Sequence, residues 1–570
     1  FYLGELELFL FGPIKSLLTG TILIMFSLKY LKNAKPLHFA LSIFGFLCAT
    51  RFFVLAFPPF GESLTGLYYE AVWLVRNNMD WIGLHKAGTY ATGGPQFYPT
   101  SIYSYLIALL MKLIPNTKLL YPTLHLINFA STAVILTILK SILERITSKE
   151  YAVLGSLAFF FYPAISGMVE LINLEMSGLF FTMLTMHFLI KQKNFTASLT
   201  AIISMLIRGQ GITACFLVVL CTISAVFFNS SWKTRISNLF IGLLTIGFAA
   251  GKVLIRQHLM GGADQPANNI VGLFVGAHEI KNSPWFWIYS FILLILTIRF
   301  FLTWKIKNYS FKDLIQLAEN NRTILLTFLI AGSWFLMFLN YNFLLYRYQT
   351  SLAPFMVIII FYALYQLGNN RQGIKIFIFI LLGLSLFSSH GFAYRNPWIK
   401  IVRDKCTDKK DPTCLEHSLE YRNYLTLEKM IVKEVEETLA DKKVGAPWGA
   451  SNTLGIPEMG YTDKQLDIIV FEMTMHHLGL KPVPTIDQWN PLDYYWVVFD
   501  HYQKSINGID FPRSKRDTLI KTLQYGNLTA RIIQGGYSIV GVYTIIKLQR
   551  SGMLDKYFNG EIPQEFLRNL

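Results

Sequence analysis

The chain has 570 residues, of which 53% are hydrophobic, 15% aromatic and only 15% charged. The mean hydropathy is +0.40. A soluble domain carries about 25% charge, so composition excludes an ordinary soluble enzyme and points to a membrane protein. The net charge of +16 fits an excess of Lys and Arg in cytoplasmic loops, with part of it free to attract an anionic partner such as a lipid phosphate.

Apolar runs near the ~20 residues that cross a bilayer recur through the first two thirds. Periodicity predicts helical spans at about 10–31, 37–57, 118–142, 152–169, 174–191, 195–207, 211–228, 236–254, 284–302, 322–340, 350–367 and 374–391. Strict alternation, the mark of a membrane barrel, is absent from these runs. The basic loops "KYLKNAK", "KSILERITSKE", "KQKN", "SSWKTR", "TWKIKNYSFKDL" and "NNRQGIK" fall on one side if the spans alternate. By the positive-inside rule that side is cytoplasmic. The expected architecture is a polytopic α-helical membrane protein of about twelve spans over 1–391, followed by a soluble extracytoplasmic α/β domain over 392–570. No cleavable signal peptide is expected.

The first extracytoplasmic loop covers 58–117, and the apolar stretch 98–114 within it is short for a span and reads as a helix lying at the interface. In the C-terminal region "LEYRNYLTLEKMIVKEVEETLA" has helical periodicity, while "DYYWVVFD", "TARIIQGG" and "YSIVGVYTIIKLQ" read as strands. The last two are expected to form a hairpin at Gly535-Gly536. Cys48, Cys215 and Cys221 sit in apolar runs as small core residues. Cys406 and Cys414 lie in a polar extracytoplasmic segment and are expected to pair.

Ionisable groups gather where spans meet the extracytoplasmic face. "FPPFGESLTGLYYEA" carries Glu62 and Glu70 among aromatics, with Asp80, His85 and Lys86 following. Glu170 and Glu175 flank a turn between spans, Arg208 lies in "LIRGQG", and Arg347 precedes a late span. His278 and Glu279 stand in "GAHEIKN". Charge near membrane depth is costly and marks function, so a shared extracytoplasmic cleft is expected. No His/Cys spacing typical of a zinc site is present in the sequence.

The first loop, with its acid, its Tyr68-Tyr69 pair and "GGPQFYPTSIYSYLIALLMKLIP", resembles that of the GT-C class of membrane glycosyltransferases. The nearest branch is that of protein O-mannosyltransferases and the aminoarabinose transferase. "LEMSGLFFTMLTMHFLIKQKN", "LIRGQGITACFLVVL" and "YRYQTSLAPFMVIII" resemble further segments of the class, and the likeness covers about 37–390. It implies transfer of a sugar from a polyprenyl-phosphate donor to an extracytoplasmic glycan, lipid or protein acceptor, with membrane lipid but no nucleic acid as a partner. The bacterial inner membrane is favoured over the endoplasmic reticulum, where Asn527 of "NLT" would be a glycosylation acceptor.

The resemblance implies an acid in the first loop that activates the acceptor hydroxyl and is able to hold a divalent metal, Mg or Mn. Glu62 is first for both roles, and Glu70 and Asp80 are the alternative acids. Where the class has an acid pair, this chain has Gly61-Glu62, with a longer spacing to the tyrosines. Arg347 is the expected phosphate ligand, with Arg208 and Arg256 behind it, and Tyr69, His85, His278 and Tyr346 complete the substrate-binding set. A non-catalytic bundle that binds lipid or anchors a larger assembly is the alternative reading.

Overall fold

The computed structural model describes residues 12–60, 67–80, 102–161, 163–172, 174–228, 231–259, 321–339, 350–368, 378, 382, 421–446, 453–464, 466, 468–470, 481–482, 494–499, 518–525 and 528–534. The helical part opens with α1 (Gly12–Phe26), which runs on into a π turn (Ser27–Leu31). Next come α2 (Pro36–Thr50), a 3-10 turn (Phe52–Ala56), α3 (Leu67–Arg76), α4 (Ile102–Leu113) and α5 (Thr117–Leu143). Then follow α6 (Lys149–Phe160), α7 (Pro163–Glu170), α8 (Leu174–Ile190), α9 (Asn194–Ile207), α10 (Ile212–Phe228) and α11 (Trp232–Leu259). The last helices of this part are α12 (Arg322–Leu339) and α13 (Ala353–Gly368).

Two of the described helices are long and apolar enough to cross a membrane, Thr117–Leu143 and Trp232–Lys252. Several expected spans are shorter or interrupted. The run 37–57 breaks at Arg51, whose backbone leaves the helical region (φ −126°, ψ 22°). The run 152–169 becomes α6 and α7, the second starting at Pro163, because proline has no N–H to donate and opens a helix better than it continues one. The expected spans 284–302 and 374–391 lie outside the described residues, apart from Ile378 and Leu382.

Polarity in this bundle is reversed relative to a soluble protein. Large apolar side chains face outward in stripes: Leu18, Ile22 and Met25 on α1, and Leu239, Phe240, Leu243 and Ile246 on α11. Hydroxyls and amides are turned inward to join helices. Thr182 meets Ser204 at 2.8 Å, Thr185 meets Thr200 at 2.9 Å, and Ser198 meets Thr245 at 2.6 Å. Asn194 donates to Asn238 at 2.6 Å. Apolar outside with small polar pairs inside is the pattern of helices surrounded by hydrocarbon. Helix α4 buries Ser104, Ile107, Ala108 and Met111 on one face and exposes Ile102, Tyr105, Leu106, Leu109 and Leu113 on the other. That two-sided pattern suits the interfacial position expected of it.

The C-terminal part is α/β. Helix α14 (Tyr421–Thr438) precedes six strands: β1 (Lys443–Ala446), β2 (Ile468–Val470), β3 (Lys481–Pro482), β4 (Tyr494–Phe499), β5 (Thr518–Tyr525) and β6 (Leu528–Gln534). They form one sheet in the order β3-β2-β1-β4-β6-β5. The β3-β2-β1-β4 half is parallel, and the β4-β6-β5 half is antiparallel.

This topology corrects the expected hairpin at Gly535-Gly536. Both edges of β6 are occupied, by β4 and by β5, over nearly its whole length. Residues 535–549 themselves lie outside the described residues. The hairpin partner is β5, which reaches β6 through the two-residue connection Gly526-Asn527. The sequence of β5, "TLIKTLQY", lacks clean alternation because it is largely exposed on both faces. Cys406 and Cys414 lie outside the described residues, whereas Cys48, Cys215 and Cys221 are free thiols.

Candidate active site

Four helix ends converge beside the first loop. Glu70 stands in the first turn of α3, and Tyr103 and Ser104 in the first turn of α4. Glu175 is in the first turn of α8, and Arg208 follows the last residue of α9. Acids at helix starts and a cation at a helix end each complement the helix dipole. Contacts link them in series. Ser104 Oγ donates to Glu70 Oε2 at 2.6 Å. The neighbouring Tyr103 shares a hydrogen bond with Ser177 and lies within electrostatic reach of Glu175. Arg208 Nη2 lies 3.2 Å from Glu175 Oε1, with both side chains buried.

Arg208 owes its place to a break in the chain. Its backbone is extended (φ −143°, ψ 129°), which stops α9. The turn can double back because residue 211 is glycine: a Cβ there would lie 2.4 Å from Met205 N. Lys252 of α11 donates its ammonium to the Met205 carbonyl and so satisfies a backbone acceptor near that break. The tyrosines of this end are kept protonated. Burial pushes Tyr103 up to about 12, and it pushes Tyr69 higher still, against the pull of Arg76.

A second cluster ties this end to the C-terminal part. Glu170 is buried and accepts from Arg51 Nε at 2.7 Å, Arg422 Nε at 3.0 Å and Tyr421 Oη at 2.9 Å. Burial alone would raise its carboxyl, but the guanidinium groups of Arg422 and Arg51 outweigh that and hold it down at about 2. Arg422 stacks over Phe53 at 4.6 Å, and Arg51 over Phe160 at 5.1 Å.

The segment entering the first loop is clamped carbonyl by carbonyl. Lys429 Nζ donates to Ala56 O at 3.2 Å, His125 Nε2 to Phe57 O at 2.9 Å, and Tyr461 Oη to Pro59 O at 2.7 Å. A carbonyl only accepts, so the Nε2 of His125 carries the proton. The Phe60 ring packs on Tyr421 and Tyr424 at 5.6 and 5.1 Å.

Of the residues the sequence singled out, the structure pairs Glu175 with Arg208 and bonds Glu70 to Ser104 of α4, with Tyr69 buried beside Glu70. Asp80 is exposed beyond the far end of α3 from Glu70. Arg256 lies on α11, and its side chain falls outside the described set. Glu62, His85, His278, Tyr346 and Arg347 lie outside the described residues. Among the described residues no group of three or more His, Cys, Asp or Glu is placed to hold a metal. Sequence reasoning missed Ser104, Tyr103, Arg51, Arg422 and Tyr461. Only Arg51, a charge at the end of an apolar run, carried a readable signal.

No protein-family profile matches the sequence, and no curated protein matches it. Among solved structures, the chain is similar to ArnT from Cupriavidus metallidurans bound to undecaprenyl phosphate. The identity is 13%, over 87% of this chain and 97% of that one, with a TM-score of 0.45. The apo state of the same protein gives 12% identity over 85% and 97%, with a TM-score of 0.44. At these scores no residue role is carried from those chains to this one.

Proposed function

We propose that the protein is an integral-membrane glycosyltransferase of the GT-C type, transferring a sugar from a polyprenyl-phosphate donor to an extracytoplasmic acceptor. The observation that carries this reading is the buried Glu175–Arg208 pair, joined through α4 to Glu70 beside the first loop. A guanidinium and carboxylates at neighbouring helix ends support that reading. Sugar transfer from a lipid phosphate needs a base for the acceptor hydroxyl and cations for the charge that grows on the departing phosphate. Glu62 serves as the base. Arg347 and Arg208 meet the phosphate, their planar forks matching its oxygens. Tyr69 stays neutral and shapes the wall of the site.

The same reading puts the C-terminal domain on the extracytoplasmic side, in a bacterial inner membrane. A divalent metal, Mg or Mn, would lie at Glu62, where it would lower the charge barrier at the phosphate. The deciding experiment is mass analysis of lipids retained by the purified protein, with titration of undecaprenyl phosphate into the delipidated protein. A retained polyprenyl phosphate, and saturable binding weakened in Arg347→Ala and Arg208→Ala, is the expected result. Absence of both retention and binding overturns the reading.

A further inference from the structure

Residues 56–60 of the bundle run along α14 and are held at several points. Lys429 Nζ donates to Ala56 O at 3.2 Å, and the Phe60 ring packs on Tyr421 and Tyr424. Tyr461, in the connection from β1 to β2, donates to Pro59 O at 2.7 Å. Glu428 of α14 lies among these contacts. It is 2% exposed and shares hydrogen bonds with the side chains of Tyr461 and Tyr424, while its Oε2 has no partner. The single proton of the Tyr461 phenol decides how these groups fit together. The Pro59 carbonyl only accepts, so it takes the hydrogen bond of that proton, and toward Glu428 the phenol offers only lone pairs. A neutral carboxyl can donate to them, completing a relay from Glu428 through Tyr461 to Pro59 O. An ionised carboxyl has nothing to donate. As a charged acceptor it competes for the phenolic hydrogen more strongly than a carbonyl does.

We propose that Glu428 is a proton-sensitive latch on the contact between the C-terminal part and the bundle: neutral, it keeps Tyr461 on the Pro59 carbonyl, and ionised, it draws Tyr461 away. Among the described residues no cation pairs with Glu428. Lys429 is turned to Ala56 O and the Phe57 ring, Arg51 and Arg422 hold Glu170, and Arg76 holds Glu458 of the same connection. His125 of α5 binds Phe57 O, Lys521 of β5 pairs with Glu434, and Arg531 of β6 alternates with the buried Ala530 and Ile532. Glu436, further along α14, accepts from Thr462 and from the Asp463 amide. Burial outweighs the two phenols and pushes the Glu428 carboxyl up to about 8 from 4.5. The hold is therefore complete below 4.5 and is lost as pH rises through about 8. The Glu170 carboxyl stays ionised around pH 8, so its lock with Arg51 and Arg422 keeps the two parts together while the latch opens. The latch is independent of the reaction that the bundle performs.

The test uses the full chain in nanodiscs, the parent beside Glu428→Gln and Tyr461→Phe, from pH 6 to pH 9.5. Amide protection of the peptide covering 453–464, corrected for the intrinsic pH dependence of exchange, is the deciding readout. In the parent it should fall several-fold with a midpoint near 8, while peptides from α8 and β4 keep theirs. Glu428→Gln should stay protected throughout, since its amide still donates to Tyr461 and never ionises. Tyr461→Phe should be weakly protected at every pH, with no step. The infrared band of a protonated carboxyl, read as parent minus Glu428→Gln, should be present at pH 6 and gone by pH 9.5. A parent with no step in protection overturns the proposal, as does a step of the same size and midpoint in Glu428→Gln. A carboxyl band that titrates while protection stays constant overturns it as well.

Discussion

Arg422 of the C-terminal helix engages both carboxylate oxygens of Glu170, a residue buried at the end of α7 in the helical bundle. Arg51 adds a second guanidinium to the same carboxylate. Two cations and one anion make an asymmetric lock, in which losing the anion leaves two charges facing each other at a largely buried site. Glu170→Gln should therefore cost about 3–5 kcal/mol of stability, as when one partner of a buried pair is removed. Because the folded carboxyl is held down at about 2 from 4.5, its contribution is present above the ordinary carboxylate range and is lost as pH falls through that interval. Thermal unfolding from pH 6 down to pH 2 should show a steep loss that Glu170→Gln lacks.

Glu428, on α14, behaves in the opposite sense. It is buried, its Oε2 has no hydrogen-bond partner, and it faces Tyr461 and Tyr424. Burial pushes its carboxyl up to about 8 from 4.5. The folded state thus holds a proton that the unfolded chain releases, so stability is greatest below 4.5 and declines as pH rises toward 8. Glu428→Gln should flatten that decline and raise stability at pH 8, on the order of a few kcal/mol. Melting curves at pH 5 and pH 8 for the two proteins check it.

Arg208→Ala should weaken undecaprenyl phosphate binding and reduce turnover by about 10²–10³, the scale of losing one preorganised donor to developing charge. Arg208→Lys should recover only part, because an ammonium lacks the two-pronged fork. Glu175→Gln leaves the guanidinium without its counter-charge and should appear mainly as lost stability, with binding retained. Binding isotherms beside melting curves separate the two effects.

The two loop acids should part company. Glu62→Gln should lower transfer by about 10²–10⁴, the usual loss of a general base, with stability unchanged. Glu70 is buried and takes a hydrogen bond from Ser104, so Glu70→Gln should loosen the α3–α4 contact, and its defect should be matched by Ser104→Ala. Arg347→Ala should weaken donor binding and turnover together. A dead Asp80→Asn beside an active Glu62→Gln would reassign the base.

Gly460→Ala should disturb the contact between domains more than either domain alone. The added methyl meets the Tyr121 ring and a backbone at φ +80°, a combination that costs about 1–3 kcal/mol. Protease sensitivity between the bundle and 421–464 should rise, while Gly45→Ala, in open space, serves as the neutral control.

The sequence by itself determined the helical bundle, most of its boundaries, a separate helix at α4 and the C-terminal helix α14. These rest on local periodicity and composition, which a chain carries in every window of a few turns. It also marked Glu70, Glu175 and Arg208, since charge is conspicuous in apolar surroundings. Only the tertiary structure decided the partners. Arg51 and Arg422 meet on Glu170 from positions far apart in the chain, and nothing local in "EYRNYL" tells that its Arg is aimed at the helical bundle. The strand order was likewise invisible. β6 has two neighbours, and which strand takes each edge depends on long-range pairing and on how α14 covers the sheet, not on the nearest glycine pair. The carbonyls of Ala56, Phe57 and Pro59 carry no side-chain signature, so their capture by Lys429, His125 and Tyr461 could arise only once the domains were packed together.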